Sequence, residues 1–279
     1  MAPPVEQAAA ASSAAAQSGA WGGVAHGIVQ LLIRLDPYLP LLLVPLLALA
    51  ARWWLRQRAA AARHGGVGMH ERRAAGAGRV ALVLALLAAA WSWAVQAQWA
   101  GVVRFDVALS HLAQAWATPV TLALAVFFSD VGDVLALTLV SVAIVAWLLM
   151  RGRPALAWGC ALAILINSLT VRVLKRLFER ERPAGATEWL TSGHSYPSGH
   201  AAGSLMVLGL LAWLLWPQLA PRWRSWLALV AVLCIAAIGA ARVLLQVHYP
   251  SDVLGGWLIA GAVLVLATTQ PRPQARGWF

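Results

Sequence analysis

Residues 225–243 read SWLALVAVLCIAAIGAARV, and Arg242 is the only charged residue in this stretch. A membrane-spanning helix needs about 20 mostly apolar residues, because each residue advances the helix by about 1.5 Å and the hydrocarbon core is about 30 Å thick. On this criterion the sequence contains seven candidate spans, which are residues 38–55, 80–100, 133–150, 154–174, 201–216, 225–243 and 252–269. The first contains Pro40 and Pro45, which favour a kink or a place outside the main bundle. The sequence predicts an all-α polytopic membrane protein with a six-helix core and one extra N-terminal span.

The composition supports an integral membrane protein. Of the 279 residues, 61% are hydrophobic and 11% are charged, whereas a soluble domain has roughly 45–50% apolar and about 25% charged residues. The formal charge of +11 arises from arginines that lie mostly between the apolar stretches, where they favour contact with anionic headgroups over binding of nucleic acid. Cys160 and Cys234 lie inside apolar stretches and predict neither a disulfide nor a zinc site.

The spans divide the chain into four parts. Residues 1–37 form a predicted disordered or interfacial tail, 38–79 hold the extra span and a basic cytoplasmic loop, 80–269 form the main membrane domain, and 270–279 form a cytoplasmic tail. Between two spans, residues 101–132 mix apolar and polar positions at near-helical spacing, which predicts a helix lying at the membrane interface. An alternative interpretation makes 117–129 a half-embedded segment.

The loops carry the signal for orientation, because cytoplasmic loops are enriched in Lys and Arg. Thirteen of the 21 basic residues fall on one side of the predicted spans, and that side is predicted to be cytoplasmic. The loops at 172–200 and 241–252 then share the opposite side. Five of the remaining eight basic residues lie within 172–182, so this outer loop departs from the charge rule and needs a functional reason.

Three short patterns stand in these two outer loops. They are KRLFERERP at 175–183, PSGH at 197–200 and ARVLLQVHYPSD at 241–252. Together they resemble the type 2 phosphatidic acid phosphatase superfamily, whose patterns are Lys-x6-Arg-Pro, Pro-Ser-Gly-His and Ser-Arg-x5-His-x3-Asp in this order. Lys175, the only lysine of the chain, occupies the lysine position. The resemblance covers about residues 80–269 and implies a membrane-bound member of bacterial type.

The same residues suit phosphoryl transfer on chemical grounds. A site without a metal needs fixed cations and backbone N–H donors around phosphorus, because negative charge spreads over the equatorial oxygens. Lys175, Arg182 and Arg242 supply the cations. Ser198 offers a hydroxyl, and Gly199 lets the backbone approach a phosphate where a helix is expected to begin.

The histidines and one carboxylate provide the reacting groups. His248 and Asp252 can form a pair of nucleophile and orienting acceptor, because Pro250 is expected to open the last span and place Asp252 in its first turn. The resemblance implies that His248 is the nucleophile, that Asp252 holds it, and that His200 protonates the leaving oxygen and later activates water. It implies no metal and no cofactor.

One position departs from the family pattern. Ala241 stands where the family has serine, so a hydroxyl facing the phosphate is lost while every cation, nucleophile and acid is kept. His194 is interpreted as a loop residue with at most a minor part in substrate binding.

Other charged residues nearby receive simpler interpretations. Arg172, Arg176 and Arg180 match no pattern position and are predicted to contact lipid phosphates. Asp130 and Asp133 are close enough in sequence to form a metal pair, but Asp133 or its neighbour is expected to cap the third span instead.

These observations predict an enzyme that hydrolyses a phosphomonoester or pyrophosphate on a membrane lipid, without a metal and through a phosphohistidine. Candidate substrates are undecaprenyl pyrophosphate, phosphatidylglycerol phosphate, phosphatidic acid and the phosphates of lipid A. The Arg- and Ala-rich composition favours a bacterial inner membrane with the site facing the periplasm. A lipid phosphotransferase using the same site stays open, as does a non-catalytic transporter or scaffold, although the span interiors are nearly free of the ionisable residues that transporters carry.

Overall fold

The computed structural model of the chain describes residues 67–184 and 193–269, and within them it contains helices and no strands. The helices are α1 (Val67–Gln96), α2 (Ala100–Ala115), α3 (Pro119–Val131), α4 (Val134–Met150), α5 (Pro154–Phe178), α6 (Gly199–Leu215), α7 (Pro221–Leu244) and α8 (Pro250–Ala267). The predicted all-α class is confirmed. The predicted extra span at 38–55 and both predicted tails lie outside the described residues.

Six of these helices correspond to the six predicted core spans. By length and composition, Gly76–Gln96 of α1 and the whole of α5, α7 and α8 are able to cross a membrane. The apolar helices α4 and α6 have 17 residues each, and at about 1.5 Å per residue they approach the thickness of the hydrocarbon core. Helix α1 begins well before the predicted residue 80, because residues 67–79 contain no proline and their alanine, arginine and glutamate residues favour helix, which outweighs their three glycines.

The prediction of one interfacial helix over 101–132 is wrong in its shape. The segment forms two helices, α2 and α3, which are bent by 119° relative to each other. The break occurs at Thr118 and Pro119, because proline cannot continue a helix but is well placed in the first turn of a new one. The Thr118 side chain accepts a hydrogen bond from the Thr121 backbone N–H at 3.2 Å and caps α3. Helix α3 has nearly the bounds of the alternative segment 117–129 and packs against α7.

Helix α6 lies at the centre of the bundle and packs against α4, α5, α7 and α8. Its side chains are buried on several sides, among them Met206, Leu210 and Leu214. A helix that is apolar all round is one that is surrounded by other helices. By contrast, α1, α4 and α7 leave many large apolar side chains exposed, as expected for helices that face lipid.

Two glycines of α8 bring its first turns close to the chain segment before α6. A Cβ at Gly255 would lie 2.5 Å from the Tyr196 ring, and a Cβ at Gly256 would lie 2.6 Å from the Ser198 backbone oxygen. Small residues allow helices to approach closely inside a membrane. The packing of α8 therefore places the segment 195–200 beside the first turn of α8, where the candidate catalytic residues lie.

Candidate active site

The start of α8 positions the predicted pair of His248 and Asp252. Tyr249 is the N-cap residue and Pro250 follows at the first helical position, so the expectation that Pro250 opens the last span is confirmed. Asp252 Oδ2 accepts a hydrogen bond from the Tyr249 backbone N–H at 2.8 Å and lies 3.4 Å from His248 Nδ1. The spacing of four residues thus brings the carboxylate to the imidazole across the helix N-terminus.

The His248 ring is buried, and this burial keeps it neutral. Burial lowers the pKa of His248 from 6.5 to about 3, and the nearby Asp252 carboxylate opposes this shift only in part. A neutral ring whose Nδ1 faces a carboxylate carries its proton on Nδ1. The lone pair is then on Nε2, which lies 3.5 Å from Nη1 of Arg182. The nucleophilic atom therefore points toward a cation that can hold a phosphate.

Arg182 joins the two outer loops. Its Nε donates to the Gly193 carbonyl at 2.9 Å, and its Nη1 donates to the Val247 carbonyl at 2.6 Å. Lys175, on the last turns of α5, donates from Nζ to the carbonyls of His194 and Ser195. Lys175 and Arg182 therefore lie where the loops 172–200 and 241–252 meet. The prediction that these two loops lie at the same end of the bundle is confirmed.

Arg242 supplies the third predicted cation from the last turn of α7. Its side chain is buried, and its Nη1 donates to the Ser129 hydroxyl of α3 at 2.5 Å. Its Nε is buried without a hydrogen-bond partner in the described part of the chain. Buried N–H groups are nearly always paired, so this atom is available to an anionic ligand. Ala241 is also buried, and Ser129 is the residue that brings a hydroxyl to Arg242.

The N-terminus of α6 carries the second pattern. Ser198 is fully buried and caps the helix, with its Oγ accepting from the Ala201 N–H at 3.5 Å. The predicted start of a helix near His200 is confirmed, because α6 begins at Gly199. A Cβ at Gly199 would meet only Val171, at an ordinary 3.8 Å, so packing does not require glycine there.

His200 is partly exposed and lies within electrostatic range of His248 and Arg242. Its Nε2 is 3.9 Å from Asp133 Oδ2. Asp133 is the N-cap of α4 and accepts from the Leu135 N–H at 2.8 Å, which confirms the predicted capping role. His200 therefore lies in the first turn of α6, whereas His248 lies in the loop before α8, and the two histidines face different carboxylates.

The prediction for Arg180 as a lipid-contacting residue is wrong. Its guanidinium donates to Asp252 Oδ1 at 2.5 Å and to Asp106 Oδ2 at 2.8 Å. Two carboxylates draw it into the protein, because a buried carboxylate requires a partner of opposite charge. The lipid contacts expected of Arg172 and Arg176 stay predictions.

Sequence reasoning also missed Asp106 and Ser195. The Ser195 hydroxyl donates to Asp252 Oδ2, and Asp106 is a buried carboxylate of α2. Asp106 is the only acidic residue of that helix, which is a signal that the sequence contains. Ser195 carries no comparable signal apart from its place three residues before Ser198.

A family model and known proteins match part of this chain. Residues 156–276 match the model of the PAP2 superfamily, and this range contains all three patterns. The chain is 32% identical over 105 residues to phosphatidylglycerophosphatase B of Bacillus subtilis (strain 168), a match that covers 36% of this chain and 52% of that protein. The chain thus spans about half the length of this curated relative.

Two solved structures are similar. A crystal structure described as that of the first transmembrane PAP2 type phosphatidylglycerolphosphate phosphatase from Bacillus subtilis has a TM-score of 0.58 and 25% identity, and the match covers 67% of this chain and 92% of that one. The crystal structure of Aquifex aeolicus LpxE has a TM-score of 0.44 and 26% identity, with 58% of this chain and 93% of that one covered. Residues 156–276, whose three patterns meet at one end of the helical bundle, match the PAP2 superfamily model, so the predicted resemblance to this family is confirmed.

Proposed function

We propose that this protein is a lipid phosphate phosphatase that cleaves a phosphomonoester or pyrophosphate through a phosphohistidine on His248. The observation that carries the proposal is a buried, neutral His248 whose Nε2 lies 3.5 Å from Arg182 and whose Nδ1 faces Asp252. A nucleophile held by an orienting acceptor beside a cation is the arrangement that covalent phosphoryl transfer uses. The match to the PAP2 superfamily model and the names of the relatives support the same activity.

In the first step, His248 Nε2 attacks phosphorus. The bond from phosphorus to the lipid oxygen breaks, its electron pair stays on that oxygen, and protonated His200 donates a proton to it. The Nδ1–H of the nucleophile remains directed at Asp252, which stabilises the positive charge that forms on the ring. Lys175, Arg182 and Arg242 offset the charge on the phosphoryl oxygens.

In the second step, water replaces the histidine. Neutral His200 takes a proton from the water, the water oxygen bonds to phosphorus, and the bond from phosphorus to Nε2 breaks with its pair returning to the ring. Inorganic phosphate leaves, and both histidines regain their starting protonation. Residues of the chain supply every proton transfer in this scheme and all of the cations, so it requires no metal ion.

We further propose phosphatidylglycerol phosphate as the first substrate to test, because a relative's name specifies phosphatidylglycerophosphate. Undecaprenyl pyrophosphate, phosphatidic acid and lipid A phosphates are the other candidates. The site lies at the end of the bundle where α5 and α7 end and α6 and α8 begin, so a substrate is able to reach it sideways from the bilayer. Orientation toward the periplasm in a bacterial inner membrane follows from the distribution of arginines.

The experiment measures phosphate release from each of the four lipids by purified protein in vesicles, with and without EDTA. We expect release from at least one lipid in excess EDTA and an acid-labile phosphoenzyme on a rapid quench. His248→Ala should abolish both. Glu179→Gln removes an exposed carboxylate from the loop that carries Arg182, and it should abolish neither.

Several outcomes would contradict parts of the proposal. Activity that disappears in EDTA and returns with Mg²⁺ would exclude the metal-free mechanism. Transfer of labelled phosphate to an added lipid or sugar acceptor in preference to water would make the protein a phosphotransferase. Absence of release from all four lipids would contradict the assigned substrate class.

A further inference from the structure

The Asp252 carboxylate is fully buried, and donors surround both of its oxygens. Oδ2 receives the Tyr249 backbone N–H and the Ser195 hydroxyl and faces His248, whereas Oδ1 receives Nη1 of Arg180. Of these partners, the His-x3-Asp spacing predicts only His248 and the Tyr249 backbone N–H at the start of α8. Among the residues that the structure describes, Arg180 therefore provides the one cationic contact to Oδ1, the oxygen that does not face the histidine.

Arg180 is itself fixed from three directions. Its Nη1 also donates to the Ser251 hydroxyl at 2.7 Å, its Nη2 donates to Asp106 Oδ2 at 2.8 Å, and its guanidinium carbon lies 4.4 Å from the centre of the Tyr249 ring. Burial alone would lower the pKa of Arg180, but Asp252 and Asp106 reverse this effect and raise it above its ordinary range. The guanidinium is thus a permanently charged bridge between two carboxylates.

Asp106 completes the arrangement from α2. Its Oδ1 accepts the Ser251 backbone N–H at 2.8 Å, and its Oδ2 accepts the Ser251 hydroxyl at 2.6 Å. A carboxylate at these positions stabilises a helix N-terminus, because the first N–H groups of a helix have no partner within it. Asp106 therefore fixes both the first turn of α8 and the arginine that contacts Asp252.

We propose that Asp106 and Arg180 are positioning residues, which hold the Asp252 carboxylate in the orientation that directs His248 Nε2 at phosphorus. Neither residue touches the reacting atoms. They act through Asp252, as the outer partners of a functional histidine act on its tautomer and ring orientation. The expected effect on kcat rests on the proposed phosphohistidine mechanism. The expected effect on the orientation and tautomer of His248 rests on the geometry alone.

The kinetic test compares Asp106→Asn and Arg180→Lys with wild type and with Glu179→Gln. Asp106→Asn keeps the shape of the side chain but removes the charge that holds Arg180. We expect kcat per folded molecule to fall by roughly 10–100-fold, as happens when the outer hydrogen-bond partner of a metal-bound histidine is lost. The KM and the inhibition constant of inorganic phosphate should stay close to wild type, because Lys175, Arg182 and Arg242 are unchanged.

Arg180→Lys separates charge from geometry. A lysine keeps the positive charge but cannot contact two carboxylates with the planar fork of a guanidinium. We expect it to lose kcat as well, and we expect the double variant to lose little more than the worse single variant, because the two residues act as a unit. Glu179→Gln should keep the kcat of wild type.

The spectroscopic test uses ¹⁵N-histidine NMR, with the His248 signals identified by their loss in His248→Gln. Wild type should show the tautomer that is protonated on Nδ1, and Asp106→Asn should show signals shifted toward a mixture of tautomers. An unchanged His248 spectrum together with an unchanged kcat per folded molecule would overturn the proposal and leave the pair a purely structural role. If Asp106→Asn does not fold, Arg180→Lys gives the same comparison.

Failure of the proposed function gives a different result. Wild type without hydrolysis of any lipid would contradict the proposed function, while the NMR comparison would still test whether Asp106 and Arg180 orient His248.

Discussion

His200 and His248 reach the candidate active site from different elements and face different carboxylates. His248 is buried against Asp252, whereas His200 is partly exposed and lies 3.9 Å from Asp133. A buried neutral ring is suited to attack. Burial and the nearby charges of Arg242, His248 and Lys175 lower the pKa of His200, so its proposed role as acid requires the negative charge of a bound phosphate to favour the protonated ring.

The proposed role of His200 as acid predicts how His200→Ala depends on the leaving group. Removing the proton donor should slow a natural lipid phosphate by roughly 10²–10⁴-fold. A phosphate ester with a nitrophenol leaving group needs little protonation, so phosphorylation of His248 from it should slow far less. Burst kinetics with both substrates measure the two effects, and an equal loss for both would contradict the assignment of His200 as the acid.

The low pKa of His248 predicts that this ring does not titrate near neutrality. With a pKa of about 3, the folded protein keeps His248 neutral at pH 5, whereas the unfolded chain protonates it below about 6.5. The stabilisation that this group provides is present above pH 6.5 and is lost as the pH falls toward 3. ¹⁵N-histidine NMR between pH 8 and 4.5 should show no change of the His248 signals, and a midpoint near 6.5 would contradict the burial described here.

At the scale of elements, the contact between α8 and the start of α6 depends on glycine. A Cβ at Gly256 would lie 2.6 Å from the Ser198 carbonyl oxygen, whereas a Cβ at Gly261 of the same helix would lie 3.6 Å from Leu84. Gly256→Ala should therefore destabilise the protein by about 1–3 kcal/mol and reduce activity, because α8 must move away from Ser198 and His200. Gly261→Ala is the matched control.

Thermal unfolding in detergent measures this difference. Alanine favours helix over glycine by about 1 kcal/mol, so Gly261→Ala should unfold at the wild-type temperature or slightly above it. Equal midpoints for the two variants would show that the contact at Gly256 is not tight.

The sequence predicted the elements better than the contacts between them. Apolar length identified the six core helices, Pro250 marked the start of α8, and a helix start was predicted near His200, because these signals are local. Thr118 and Pro119 also contain the signal for the break between α2 and α3, but the mixed apolar and polar spacing of 101–132 predicts a single interfacial helix. The partner of Arg180 lies 74 residues away on α2, and no local pattern encodes a contact that only tertiary packing creates.

At the scale of the whole molecule, the helices fix which chain ends share a side. Glu179, which follows α5, and Ala220, which precedes α7, are both exposed and belong to opposite ends of the bundle. The arginine distribution predicts that Glu179 is outside and Ala220 is inside. With seven predicted spans, the same rule predicts the N-terminus outside and the C-terminus inside.

Cysteine labelling checks this topology. In a background without Cys160 and Cys234, an impermeant maleimide applied to intact spheroplasts should modify Glu179→Cys, while Ala220→Cys should react only after the membrane is opened. The reverse pattern would place the candidate active site in the cytoplasm.

The bridge formed by Asp106, Arg180 and Asp252 has a consequence for how this chain can change over evolutionary time. Loss of Arg180 alone would leave two buried carboxylates without their cation, and loss of Asp106 alone would leave Arg180 with a single carboxylate partner. Breaking one member of a buried ionic group typically costs about 3–5 kcal/mol, whereas replacing the whole group is often neutral. Lineages that keep Asp252 should therefore keep positions 106 and 180 together, although these positions lie on different segments of the chain.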